Sequence, residues 1–173
     1  MNSFNFFSDH FIAVRHFIHL IILAHNCLLH FIYSGGTFKV IMKILLVDDD
    51  EAILSVYATA LKAHGHDVIT ASNGKAGLEK AKIEKPDVIL LDQVLPDIQG
   101  NEVLRILKED AETKAIPVAM LSNFGQNDLI QKAINTGAVD YIRKYEIEPD
   151  YLDTKIKGII KAKQSQTDNE QTF

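Results

Sequence analysis

Three consecutive acids, Asp48, Asp49 and Asp50, follow the apolar run Lys43 to Val47. A fourth acid, Asp92, follows Val88-Ile89-Leu90-Leu91; a hydroxyl, Ser122, follows Ile116 to Leu121; an ammonium, Lys144, stands just past Val139 to Ile142. Carboxylates brought to one mouth repel each other unless a cation lies between them. A hard cation such as Mg²⁺ takes oxygen from one or two carboxylates and keeps several waters. Bound there, it would neutralise the acids and draw in phosphate oxygens. Ser122 and Lys144 suit the remaining oxygens of a transferring phosphoryl group, and phosphoryl transfer asks mainly for positioning and charge stabilisation. Singly, each residue has a plainer role. The acids after Val47 suit a helix cap and first turn, Asp92 a turn before Pro96, Ser122 a loop, and Lys144 a solvated surface. Asp50 reads as the cap itself and stays outside the metal set. His64 and His66 flank a helix-ending glycine and read as surface residues rather than ligands.

Whether these groups meet depends on the elements between them. Apolar runs at Lys43 to Val47, His66 to Ala71, Val88 to Leu91, Ile116 to Leu121 and Val139 to Ile142 read as strands. Helical spacing predicts helices over Asp50 to His64, from an Asn73 cap to Pro86, over Asn101 to Lys108, Gln126 to Asn135, and about Pro149 to Lys161. Five strand–helix units in strict alternation imply an α/β fold, with a parallel sheet, right-handed crossovers and helices on both faces. Strands that are apolar throughout fit a sheet covered on both sides. In such a sheet the ligand site lies beyond the carboxyl ends of the strands, which is where the chemistry-bearing residues fall.

VDDDE after the first strand, VILLDQVLPDIQG around Asp92, IPVAMLSN through Ser122 and GAVDYIRK ending in Lys144 together resemble the receiver domain of two-component response regulators. The resemblance covers about Met42 to Lys163, and its specificity lies in four motifs in order, each ending a strand. It implies a doubly wound, flavodoxin-like sheet with strand order 2-1-3-4-5. It implies Asp92 as phosphoacceptor, Asp49 as direct and Asp48 as water-mediated Mg²⁺ ligand, and the Val94 carbonyl as a third protein oxygen on the metal. Ser122 and Lys144 would hold the phosphoryl group, and Tyr141 would be the aromatic switch, although an aromatic at a strand end is equally read as packing. The implied partners are a sensor histidine kinase or phosphotransfer protein upstream and an unidentified protein effector downstream, in the cytoplasm. The face formed by the fourth helix, fifth strand and fifth helix is the family's usual contact surface, so a phosphorylation-dependent dimer is a further expectation. Only a short polar stretch follows Lys163, so no DNA-binding domain is expected.

This sequence departs from the family pattern at several positions. Tyr145 replaces the proline that usually follows the lysine; a non-proline cis bond costs about 2.5–4 kcal/mol, so a trans bond or a reshaped loop is expected. Asn123 replaces a small residue beside the phosphoryl site. Val94 and Phe124 border the approach of attacking water, and their apolar side chains are expected to slow hydrolysis of phospho-Asp92. The competing reading is a Mg²⁺-dependent phosphatase or phosphotransferase using an aspartyl-phosphate. It expects a second acid two residues after the nucleophile, where Val94 stands.

A chain of 173 residues at 47% hydrophobic and 24% charged suits one domain with a real core. A formal charge of −5 argues against a general nucleic-acid surface. A single cysteine, Cys27, precludes an intramolecular disulfide. Residues 1–41 differ in texture, with Asp9, Arg15 and Lys39 as their only charged side chains. Phe11 to Tyr33 has the length of a membrane span, but Arg15, His16, His19, His25, Asn26 and His30 interrupt it. Three readings stand: a membrane anchor, an unclassified leader, or an extension upstream of a true start at Met42. Residues 42–163 form the expected receiver unit, and 164–173 a polar tail expected to be disordered.

Overall fold

The computed structural model describes residues 30–34, 37–123 and 125–170, with side chains for 40–123 and 125–163. Two short strands, β1 (His30–Ser34) and β2 (Thr37–Ile41), form an antiparallel pair. Five parallel strands follow, β3 (Lys43–Val47), β4 (Asp67–Ala71), β5 (Val88–Asp92), β6 (Val118–Ser122) and β7 (Asp140–Arg143). Their order across the sheet is β4-β3-β5-β6-β7, which is 2-1-3-4-5 counted from Lys43. Between and after them run α1 (Glu51–Ala63), α2 (Gly74–Glu84), α3 (Gly100–Glu109), α4 (Asn127–Thr136) and α5 (Pro149–Glu170).

Alternation along each strand divides the core into two layers, because successive side chains point to opposite sheet faces. Ile44, Leu46, Val88, Leu90, Ala119, Leu121 and Ile142 face α1 and α5, meeting Tyr57, Leu61, Leu152 and Ile156. Leu45, Val47, Ile89, Leu91, Val118 and Met120 face the other way, against Ala81 of α2, Val103, Leu104 and Leu107 of α3, and Ala133 of α4. Every residue of β5 is buried, Asp92 included. Asp50 caps α1, its carboxylate accepting from the amides of Ala52 at 2.9 Å and Ile53 at 3.2 Å. Asn73 caps α2 through Ala76 N–H at 2.9 Å.

Two readings change. His66 is buried, not a surface residue. Its Nδ1 accepts from the Met42 amide at 3.2 Å and its Nε2 lies 2.7 Å from Asp153 Oδ1 in α5. The charge-rich context of HGHD conceals that the turn after α1 folds inward beneath α5. The last helix does not end near Lys161 but continues to Glu170, so polar residues from 164 to 170 are helical in backbone rather than a disordered tail. Once α5 is nucleated by its packed first turns, adding further turns is cheap. The end of the candidate span Phe11 to Tyr33 lies in β1. Its remainder, with Cys27, lies outside the described residues. Among the described residues, no helix is long and apolar enough to cross a membrane.

Candidate functional site

The parallel strands deliver their last residues to one edge. The Asp48 N–H donates to the Ala71 carbonyl at 3.0 Å, so the residue after β3 is still held against β4. Asp48 in turn accepts the Asp50 N–H on its Oδ1 at 3.1 Å, which ties the acidic run to the start of α1. Asp92 ends β5 opposite Leu121 of β6. The Gln93 N–H is shared between Asp92 Oδ1 at 2.7 Å and the Leu121 carbonyl at 3.2 Å. Lys144, past β7, is buried and reaches back across the edge.

One oxygen each from Asp48, Asp49 and Asp92 lies within 4.8 Å of the others. Asp48 and Asp92 are buried and Asp49 is exposed, so the cluster opens to solvent through Asp49. Lys144 Nζ stands 2.5 Å from Asp48 Oδ2 and 3.3 Å from Asp92 Oδ2. The Asp48 approach is an ion-pair contact whose geometry is not that of a hydrogen bond. Burial pushes the Asp92 carboxyl above its ordinary range; Lys144 pulls it down and Asp48 pushes it up again. For Lys144, burial disfavours the ammonium, but the two carboxylates outweigh it and hold its pKa above the usual lysine value. Three carboxylates sharing one ammonium leave excess negative charge, and all the donors are hard oxygens. That is an acidic pocket fit for a metal ion.

Residues 44–157 match the family of the response regulator receiver domain. The chain belongs to that family. A receiver is a phosphorylation-dependent signalling switch, and the family accepts phosphoryl groups from kinases and signals to downstream partners. Among similar proteins, PilH of Pseudomonas aeruginosa is 39% identical over 112 residues, covering 65% of this chain and 93% of its own length. The alkaline phosphatase synthesis regulator PhoP of Bacillus subtilis is 37% identical over 119 residues, covering 69% of this chain but only 48% of PhoP. The chain thus spans about half the length of some relatives and nearly all of others. A CheY-like receiver domain protein of Methanospirillum hungatei superposes with a TM-score of 0.67 at 29% identity, over 73% of this chain and 98% of that one.

The receiver edge brings together Asp48, Asp49, Asp92 and Lys144. Ser122 is fully buried at the end of β6, one strand from Asp92. Tyr141 is half-buried on β7 and packs against the layer beneath α2, α3 and α4. Val94 is 44% exposed, and Asn123, directly after β6, is exposed. Phe124 lies outside the described residues. The bond before Tyr145 is trans, since no cis peptide is present among the described residues; the loop is reshaped as a short 3-10 turn, Lys144–Glu146.

Two residues near the site escape sequence reasoning. Asp97, in the loop after β5, accepts the amides of Gly74 at 2.8 Å and Lys75 at 2.9 Å, stitching that loop to the start of α2. Those backbone bonds, from Lys75 foremost, lower its pKa. Its only sequence signal is an acid beside a proline, which reads as a turn. Tyr57 sits among the apolar positions of α1 and reads there as core.

Proposed function

We propose that Asp92 is the phosphoacceptor of this receiver, charged by a sensor histidine kinase or phosphotransfer protein with Mg²⁺ in the acidic pocket. The observation that carries this reading is the placement of Lys144 Nζ, 3.3 Å from Asp92 Oδ2 at the mouth lined by Asp48 and Asp49. One Asp92 oxygen attacks the phosphorus of the donor, the bond from phosphorus to the donor's leaving atom breaks, and an acyl phosphate remains on Asp92. Asp48, Asp49, Asp92 and the Val94 carbonyl would hold the cation, which supplies charge neutralisation at the phosphoryl oxygens. Lys144, with its ammonium held protonated by the acids, takes a second phosphoryl oxygen, and the Ser122 hydroxyl donates to a third. As the product forms, Lys144 exchanges its contact with Asp48 for the new anion. Movement of Ser122 opens room for Tyr141, which carries the change to the face of α4, β7 and α5. Output runs through protein contact at that face, in the cytoplasm.

The test is intact-mass measurement of the full chain incubated with Mg²⁺ and acetyl phosphate, beside Asp92→Asn. One phosphoryl adduct on the wild type, absent without Mg²⁺ and absent from the variant, is expected. An adduct of equal yield on Asp92→Asn would place the acceptor elsewhere.

A further inference from the structure

Lys144 must keep its place while its charge partners change, so what holds its backbone matters. The residue stands at the junction of β7 with the 3-10 turn Lys144–Glu146. On the outer side of that turn, Arg143 Nη1 pairs with Glu146 Oε1 at 2.9 Å and donates to the Tyr145 hydroxyl at 3.4 Å. All three of these side chains are exposed or half-exposed, and such contacts are individually weak. Tyr145, unlike a proline, has no pyrrolidine ring closing on its backbone nitrogen to restrict φ, so the turn has no covalent brace either.

On the inner side stands Tyr57. Two turns into α1, it is 4% exposed, and its hydroxyl donates to the Lys144 carbonyl oxygen at 3.4 Å across 87 residues of sequence. The phenol also lies close enough to the pocket to sense it. Burial raises its pKa, the Lys144 charge lowers it, and Asp48 raises it again. α1 is the helix that begins at Asp50, immediately after the acids. One rigid element therefore fixes both the acidic run at its start and the lysine main chain at its middle.

We propose that Tyr57 is a positioning residue for phosphoryl transfer. Its hydroxyl anchors the Lys144 main chain, so that the ammonium can leave Asp48 for the phosphoryl oxygens without the turn moving. The hydroxyl does not touch the reacting atoms and acts only through Lys144. The inference rests on the reading of Asp92 as phosphoacceptor and of Lys144 as the phosphoryl-binding ammonium.

The experiment measures the rate of Asp92 phosphorylation by acetyl phosphate in Mg²⁺. It uses the full chain as wild type, Tyr57→Phe, Lys144→Ala and the double variant. Tyr57→Phe keeps the ring and its packing and removes one neutral hydrogen bond, so a rate loss of about fivefold is expected. Mg²⁺ affinity, measured by calorimetry, should change less than twofold. In the Lys144→Ala background the same substitution should change nothing, because the group it positions is gone. A Tyr57→Phe rate equal to wild type overturns the proposal. So does an equal loss in both backgrounds, since the tyrosine would then matter only to packing. Urea unfolding of each variant separates slow chemistry from loss of the fold. A wild type that gains no adduct would remove the phosphoacceptor reading, and the role of Tyr57 with it.

Discussion

Asp92 has to carry charge in a place that resists charge. Its raised pKa means that the folded chain holds a proton on it more tightly than the unfolded chain, whose aspartates titrate near about 3.9. The ionised group therefore costs stability at neutral pH; that cost begins to shrink as pH falls through the folded value and is gone below the unfolded one. In the metal-free protein, Asp92→Asn is expected to raise the urea midpoint at pH 7 and to leave it nearly unchanged near pH 3. A lower midpoint at pH 7 would mean that the Lys144 contact outweighs burial. The same imbalance favours any partner that brings positive charge to the pocket, which gives the acids a binding role and a structural cost together.

At the level of elements, α3 must start hard against β5, because the short loop between them begins at Asp92, the last residue of the strand. Gly100 makes that approach. Its N–H donates to the Gln93 carbonyl at 3.0 Å. A Cβ on Gly100 would overlap the Asp92 carbonyl oxygen and lie 2.9 Å from the Gln93 Cα. These are backbone atoms at and just past the end of a central strand and cannot yield as a flexible side chain would. Gly100→Ala is expected to cost about 3 kcal/mol in urea unfolding. Gly158, exposed within α5 with nothing within 4 Å of a built Cβ, is the control. There the change to Ala should stabilise by about 0.5–1 kcal/mol, since only helix propensity is at stake. Equal effects at the two sites would contradict the close approach.

Across the whole molecule, the end of the sheet remote from the acids is tied by one buried imidazole. His66 accepts from Met42, at the entry to β3, and lies 2.7 Å from Asp153 of α5. Lys157 Nζ at 2.7 Å and His64 Nδ1 at 3.6 Å stand against the second Asp153 oxygen. Three separate parts of the chain meet there, so removing the ring leaves a buried amide and a largely buried carboxylate short of partners. His66→Ala is expected to cost about 3 kcal/mol, read as a lower urea midpoint with an unchanged slope. A loss below about 0.5 kcal/mol, the size expected of a surface residue, would show that the cluster is not holding the fold. Because the pair lies at the opposite end of the sheet from Asp92, phosphorylation chemistry should survive in the fraction that folds.

Sequence alone determined the alternation of strands and helices, the strand order carried by the family resemblance, and the edge where Asp48, Asp49, Asp92 and Lys144 meet. The alternation and the edge follow from local signals: apolar runs that cannot face water, caps such as Asp50 and Asn73, and polar residues placed just beyond each run; the order came only with the resemblance. It did not show that His66 is interior, that Tyr57 reaches Lys144, or that Asp97 stitches a loop to α2. In each case a polar atom finds its partner on an element distant in sequence, and a side chain's type says only that it needs a partner. It also left Lys144 with two carboxylates to choose between. Only the packed sheet placed its ammonium 2.5 Å from Asp48 and 3.3 Å from Asp92, because that balance depends on where strand ends lie in space rather than on what they are.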